Sequence, residues 1–372
     1  MSLGGGRVRR DGLADSFARV DRPSMSDRPA RPLVLTANPL DPIGFARAIA
    51  AGAAWLAAGR LVAFPTETVY GLGANALDAN AVRAIFAAKG RPSFNPLIVH
   101  VPDVSWLGRV ARDLPPLVAP LAAAFWPGPL TLLVPRRDIV PDEVTAGLGT
   151  VGVRVPAHPV ARALLVAADV PVAAPSANPY QRVSPTTAAH VIADLGDRVD
   201  VVIDGGPATV GIESTVLDVS GPVPILLRPG GLARAAIERV IGPVGTVDES
   251  QLTGSVARPS PGLVDRHYAP RARLVGFDAA NGAMVWGQLA EQVGGGLAVG
   301  LLAFDVAGAA ATCAIAMPRD PVGYARELYA ALHELDAAAG HEEGLQAPGA
   351  MQPTPTPCIA WVQPMSPVVW RG

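Results

Sequence analysis

Asp78-Ala79-Asn80-Ala81-Val82-Arg83-Ala84-Ile85-Phe86-Ala87-Ala88-Lys89-Gly90 runs directly into Arg91-Pro92-Ser93-Phe94-Asn95-Pro96-Leu97-Ile98-Val99-His100. The first half predicts a helix over 79–89. Asp78 is the N-cap, because its carboxylate can accept from the unpaired N–H groups of the first turn, and Gly90 ends the helix. The second half crosses two prolines into a short apolar run, which predicts a strand over 97–101. The same alternation continues on both sides. Strands are expected at 61–64, 131–134, 151–155, 172–174, 201–203, 215–219 and 225–227. Helices are expected at 44–58, 115–125, 159–168, 185–195 and 232–240, and Ser184-Pro185 reads as a capped start for the fifth of the six. Alternating strands and helices make residues 32–242 an α/β domain.

Periodicity fades outside this region. Residues 1–31 read as a poorly ordered leader, with Met25 a candidate for the true start. Residues 243–271 are richer in Pro, Gly and Ser and read as a linker. Ser260-Pro261-Gly262 and Arg266-His267-Tyr268-Ala269-Pro270 carry more side-chain chemistry than a spacer needs. A smaller α/β unit is expected over 272–340, with strands at 273–277 and 297–304. A helix over 324–338 would have Ala325, Leu328, Leu332 and Leu335 on one stripe. Residues 341–372 are an aperiodic, Pro-rich tail.

Composition narrows the function classes. The chain has 372 residues, is 50% hydrophobic and 17% charged, and is too apolar for a disordered protein. A formal net charge of −2 provides no global field for nucleic acid. Cys313 and Cys358 match no metal spacing and form no disulfide framework, so a reducing cytoplasm is expected. No apolar run reaches the roughly 18–20 residues of a membrane span. Of 30 basic residues one is lysine, Lys89, which leaves 29 arginines. A GC-rich genome favours arginine. A lysine that persists is either a chance survivor or a candidate for a place where a compact ammonium is not exchangeable for a planar guanidinium.

Six segments carry chemistry. Thr66-Glu67-Thr68-Val69-Tyr70-Gly71-Leu72-Gly73 follows a strand and reads as a hydroxyl- and glycine-rich turn, of the kind that binds ligands at strand ends. Lys89-Gly90-Arg91, Asn95 and His100 bring two cations, an amide and an imidazole, which suits a triphosphate beside a polar substrate. Arg154, in Thr150-Val151-Gly152-Val153-Arg154-Val155, has the opposite parity to the valines, so it faces water or lines a cleft. Ala173-Ala174-Pro175-Ser176-Ala177-Asn178, continuing to Ser184, lets a ligand approach the backbone. Gly211-Ile212-Glu213-Ser214-Thr215 and Leu227-Arg228-Pro229-Gly230 complete the set. There is no P-loop, no Ser-His-Asp order and no Cys/His metal cluster. These groups suit binding and electrostatic stabilisation more than covalent catalysis.

In this order the six segments resemble the YrdC-like family of L-threonylcarbamoyladenylate synthases over residues 36–240. The signature is Lys89-x-Arg91 with Ser176-x-Asn178. The linker motif and second unit resemble the family's long, two-domain form. The resemblance implies a twisted mixed sheet with flanking helices and a cleft, plus a smaller Rossmann-like α/β domain. It implies that L-threonine, bicarbonate or CO2, and ATP give threonylcarbamoyladenylate and pyrophosphate. A separate transferase complex would use that product to modify tRNA. Mg2+ would accompany ATP, with no metal held by the protein alone; a weak tRNA contact is allowed and no membrane is involved. By resemblance, Thr68, His100, Arg154, Ala174 and Ser214 line the threonine side. Arg91, Asn95, Thr150, Ser176, Asn178, Ser184, Arg228 and Tyr268 fall on the ATP side. Lys89 and Arg91 serve the chemistry, and the linker closes over the nucleotide as a lid through Tyr268.

Two stretches depart from the family pattern. Leu263-Val264-Asp265-Arg266 stands where the linker is often more basic. The pattern is also lost after Leu335-Asp336, as a shifted reading frame or a truncation would produce. Two other readings compete: a non-synthase paralogue of the same fold that binds RNA or nucleotide, and a double-stranded RNA-binding module. Arg154, Ser214 and Tyr268 argue against the first, and the net charge of −2 against the second.

Overall fold

The computed structural model describes residues 31–247, 268–277, 298–306, 311–338 and 358–362, with isolated positions 287, 291, 293 and 294. The leader over 1–30, Ser260-Pro261-Gly262, the 263–267 segment and the tail apart from 358–362 lie outside the described residues.

The strands of the first lobe are β1 (Leu33–Thr36), β2 (Val62–Phe64), β3 (Gly71–Asn75), β4 (Ile98–His100), β5 (Leu130–Pro135), β6 (Thr150–Arg154), β7 (Val172–Ala173), β8 (Val201–Asp204), β9 (Thr215–Asp218), β10 (Ile225–Arg228) and β11 (Gly245–Thr246). They form one mixed sheet in the order β1-β8-β2-β3-β7-β4-β6-β5-β9-β10-β11. It combines parallel pairs such as β4–β6 and β5–β9 with antiparallel ones such as β2–β3 and β5–β6. Helices α1 (Pro42–Ala57), α2 (Ala79–Lys89), α3 (Leu107–Val110), α4 (Val118–Phe125), α5 (Asp142–Thr145), α6 (Pro159–Ala168), α7 (Ala188–Leu195) and α8 (Arg234–Ile241) flank it.

The period of two along the strands divides the core. Val62 and Phe64 of β2 pack with Leu56 of α1 and with Leu164 and Leu165 of α6, whereas Ala63 points the other way. On that second face Tyr70, Ile85, Leu121, Leu130, Val191 and Ile237 form the larger cluster. Each fully buried Leu or Phe contributes about 1.5–3 kcal/mol of transfer free energy, so these two layers hold the strand ends at fixed positions.

The second lobe has β12 (Arg273–Phe277), β13 (Val299–Ala303), β14 (Cys313–Ala316) and β15 (Cys358–Val362) in the parallel order β12-β15-β13-β14, with helix α9 (Pro321–Ala338). β15 corrects the reading of residues 341–372 as patternless throughout. Five residues, Cys-Ile-Ala-Trp-Val, fill the gap between β12 and β13, where backbone pairing on both sides outweighs the Pro-rich flanks.

Two local readings also change. Gly71–Asn75 is a strand paired with β2. The glycine there serves close approach, since a Cβ on Gly73 would lie 2.7 Å from the Phe64 ring and 2.9 Å from Val172. The helix expected from 185 starts at Ala188, capped by Thr187, whose hydroxyl accepts from the N–H of His190 at 3.3 Å. Ser184 is thereby released for another partner. Helix α2 has the expected ends: Asp78 accepts from Asn80 and Ala81, and Gly90 takes the left-handed conformation at φ 62°.

Candidate functional site

The connection from β2 to β3 is built on its hydroxyls. Thr66 donates its side-chain O–H to the Val69 carbonyl at 2.6 Å, and its oxygen accepts from the N–H groups of Thr68 and Val69. This tight loop presents Thr68 and Glu67 to Arg154 at the end of β6. The Arg154 guanidinium donates to Glu67 Oε1 at 2.6 Å, to Thr68 Oγ1 at 2.9 Å and to the Gly128 carbonyl at 3.3 Å. The second Glu67 oxygen accepts from the Ala157 N–H at 2.9 Å. Burial pushes the Glu67 carboxyl up, but the charge and hydrogen bond of Arg154 and backbone N–H bonds outweigh it, so its pKa falls below the ordinary value. Both residues are buried.

His100, at the end of β4, stands edge-on to Phe64 with ring centres 6.3 Å apart. Its Nδ1 makes no hydrogen bond among the described residues. Burial first, and then the Arg154 charge, lower its pKa to about 3, so the imidazole is neutral near pH 7.

On the opposite wall, Lys89 is 3% exposed. Its ammonium donates to the carbonyl oxygens of Ser176 and Asn178, which pins the loop after β7 to the end of α2. Burial and then the Arg91 charge lower its pKa well below the usual lysine value. Arg91 donates to the Asn95 and Pro96 carbonyls at 3.2 and 2.9 Å. Both polar atoms of the buried Asn95 amide, and Asn178 Oδ1, have no protein partner among the described residues. Asn178 Nδ2 donates to the carbonyls of Pro179 and Arg182.

The third wall comes from β9, β10 and the end of the linker. Arg228 donates to the Ser214 carbonyl from Nε at 3.1 Å and from a terminal nitrogen at 2.9 Å. It also donates to Ser214 Oγ at 3.1 Å and to the Tyr268 hydroxyl at 3.0 Å. Ser214 Oγ shares a hydrogen bond with Thr131 at 2.9 Å. Ser184 donates to Glu213.

Together these walls enclose a polar cavity. Three guanidinium groups, Arg91, Arg154 and Arg228, line it against one carboxylate, Glu213, while Glu67 pairs with Arg154 from outside the lining. A low-dielectric pocket with surplus fixed positive charge favours an anionic ligand.

The comparisons with known proteins agree on one family. The Sua5–YciO–YrdC family model, described as "Telomere recombination", matches residues 54–230. A second, "Threonylcarbamoyl-AMP synthase, C-terminal domain", matches 232–351. The crystal structure of Pyrococcus abyssi Sua5 complexed with L-threonine superposes with a TM-score of 0.78 at 37% identity, over 89% of this chain and 92% of that one. The chain belongs to the Sua5–YciO–YrdC family. It shares 49% identity over 227 residues with the threonylcarbamoyl-AMP synthase of Pyrococcus abyssi, and 50% over 227 residues with that of Bacillus subtilis. Each match covers 61% of this chain. It spans 66% and 65% of those relatives, just under two thirds of their length.

Of the residues that the family resemblance singled out, Thr68, Arg91, His100, Arg154, Ala174, Ser176, Ser214, Arg228 and Tyr268 line the cavity. Lys89, Asn95, Asn178 and Ser184 are buried polar residues outside that lining. Thr150 lines a separate small cavity with Pro96, Thr145 and Gly152. Sequence reasoning singled out neither Glu67 nor Glu213. Their signal was a carboxylate directly before a hydroxyl, in Thr66-Glu67-Thr68 and in Glu213-Ser214-Thr215.

Proposed function

We propose that this protein is an L-threonylcarbamoyladenylate synthase, a nucleotidyltransferase that makes threonylcarbamoyl-AMP and pyrophosphate from L-threonine, bicarbonate or CO2, and ATP. The observation that carries the reading is Arg154, a buried guanidinium braced by Glu67 and Thr68 at one end of a cavity that also holds Arg91 and Arg228. A planar fork held in this way matches a substrate carboxylate, and the other two arginines match phosphate. The Sua5 crystal structure with L-threonine is the relative that supports the choice of amino acid.

In this reading the threonine carboxylate meets Arg154, and its side chain and amine lie among Thr68, His100, Ala174 and Ser214. The amine adds to the carbon of CO2 and loses a proton, which gives a carbamate. A carbamate oxygen then attacks the α-phosphorus of ATP, the bond to the bridging oxygen breaks, and pyrophosphate leaves with the electron pair. Neutral His100 offers no charge to compete with Arg154 for the carboxylate. Arg91 and Arg228 offset charge on the phosphates, with Asn95, Ser176, Asn178, Ser184 and Tyr268 completing the ATP side. Thr150 belongs to the ATP side by family resemblance, from a separate small cavity. Lys89 acts beside Arg91 and through the Ser176–Asn178 loop that it holds. The protein supplies alignment and charge, and needs no covalent nucleophile.

Among the described residues no group of three His, Cys, Asp or Glu is placed to hold a metal ion. Glu67 and Glu213 already accept hydrogen bonds inside the protein. The residues therefore fit Mg2+ only as a counter-ion carried by the triphosphate and water. The product would pass to a threonylcarbamoyl transferase complex that modifies tRNA, with any tRNA contact of this chain weak. No helix among the described residues is long and apolar enough to cross a membrane, and a cytoplasmic site of action fits the substrates.

The test is mass detection of threonylcarbamoyl-AMP after incubation with the three substrates, alongside pyrophosphate release. Release is expected to need both threonine and bicarbonate. Release from ATP alone at the same rate would overturn the assignment.

A further inference from the structure

Helix α9 of the second lobe reaches the back of the cavity. Gly211, just before Glu213, has φ 78°, and a Cβ there would lie 2.3 Å from the Arg326 carbonyl oxygen. Any side chain at this position would push α9 away. One turn along α9, Tyr329 is 4% exposed and donates its O–H to Glu213 Oε2 at 2.6 Å. The other Glu213 oxygen accepts from Ser184. One turn further, His333 Nε2 meets the Ser184 carbonyl at 3.2 Å. The Tyr329 ring also stands 6.0 Å from that of Tyr268, which holds Arg228.

Glu213 lines the cavity, and among the described residues it forms no ion pair. A buried carboxylate keeps its lone pairs satisfied. Here two hydroxyl donors, one from each lobe, do so without spending an arginine. With one donor removed, the freed oxygen would turn to a cation: Lys89, which feels the Glu213 charge, or a guanidinium that lines the same cavity. A phosphate would then have to compete with Glu213 for that cation.

We propose that Tyr329 is a positioning residue: it holds Glu213 away from the cavity arginines and backs Tyr268, so the second lobe completes the nucleotide side of the site. The identity of the nucleotide as ATP rests on the function proposed above. The experiment measures ATP affinity by calorimetry, and both KM values, for the full chain and for Tyr329→Phe, Glu213→Gln and the double variant. Tyr329→Phe keeps the ring and removes the donor. It is expected to weaken ATP binding about tenfold and to raise KM for ATP in step, a charge-assisted bond being the interaction lost. KM for threonine should stay within about twofold and kcat within about threefold, since the one side-chain hydrogen bond of Tyr329 among the described residues goes to Glu213 and none goes to Thr68, His100, Arg154 or Ser214.

In Glu213→Gln the side chain is a neutral amide that forms no ion pair with an arginine, so this variant is the reference for the double variant. For the same reason the double variant should bind ATP more tightly than Tyr329→Phe alone, an outcome that simple loss of packing would not give. The proposal falls if Tyr329→Phe binds ATP as wild type does, if both KM values rise together, or if the double variant is weaker than Tyr329→Phe. Wild-type protein that binds ATP but makes no adenylate removes only the proposed reaction. Wild-type protein that binds no ATP overturns both.

Discussion

Replacing Lys89 by methionine separates two roles for the only lysine in the chain. Methionine keeps the length and apolar stem and removes the ammonium. The carbonyls of Ser176 and Asn178, now capped by Nζ, would be left without that donor in a buried setting. An orphaned buried acceptor costs about 1–3 kcal/mol, so two cost about 2–6 kcal/mol. Part is returned because the wild type already bears the desolvation of a buried ammonium, which the lowered lysine pKa reflects. A net loss of about 2–4 kcal/mol at the loop carrying Ser176 and Asn178 corresponds to roughly 30- to 1,000-fold in kcat/KM if the loop is held for the transition state. Lys89→Arg should be impaired as well. A fork of five donors does not fit where a point charge sits between two carbonyls, and overpacking costs about 1–3 kcal/mol more. The assay is initial-rate formation of the adenylate by mass spectrometry, with the thermal midpoint of each variant as a folding control. Wild-type kcat/KM in a folded Lys89→Met protein would refute the argument and leave the lysine a survivor of codon drift.

Glu67→Ala leaves the buried Arg154 guanidinium without its carboxylate, which costs about 3–5 kcal/mol. The thermal midpoint should fall on the order of 10 °C, and L-threonine should raise it more than in wild type, because a substrate carboxylate then replaces the missing charge. A variant with an unchanged midpoint would show that the pair adds nothing. His100 gives a pH prediction. Its folded pKa, about 3, lies below the ordinary 6.5, so between these values the unfolded chain binds the extra proton. Its contribution to stability is therefore fully present above pH 6.5 and is lost as pH falls toward 3, at up to about 1.4 kcal/mol per pH unit. His100→Phe should flatten that slope in denaturation curves measured at several pH values, and an unchanged slope would reject the assignment.

Much of the first lobe follows from local rules. Helix α2 begins and ends where Asp78 and Gly90 require, and the apolar runs near 98, 130, 151, 201 and 215 became strands. The parity of Arg154 separated it from its valine neighbours, but sequence could not choose between water and a cleft. The β2–β3 loop, the β4–β6 pairing and the cover of neighbouring layers made it a 4% exposed cavity residue. Local pattern failed at Gly71–Asn75, where glycine usually marks a turn and here makes room for the Phe64 ring. It failed at Ser184 too, whose hydroxyl has the chemistry of a cap but serves Glu213.

What the chain determined by itself is the alternation of helix and strand, the place of each polar segment at a strand end, and the set of cations available for an anionic ligand. These depend on propensity, period and spacing, which are properties of neighbours in sequence. Tertiary structure alone decided which carboxylate restrains which arginine, that Lys89 grips two carbonyls from a loop nearly ninety residues away, and that a tyrosine from the second lobe caps a glutamate of the first. Those pairings join residues far apart in the chain. Burial makes unmet polar groups costly enough to select a single arrangement, and no local pattern encodes that cost.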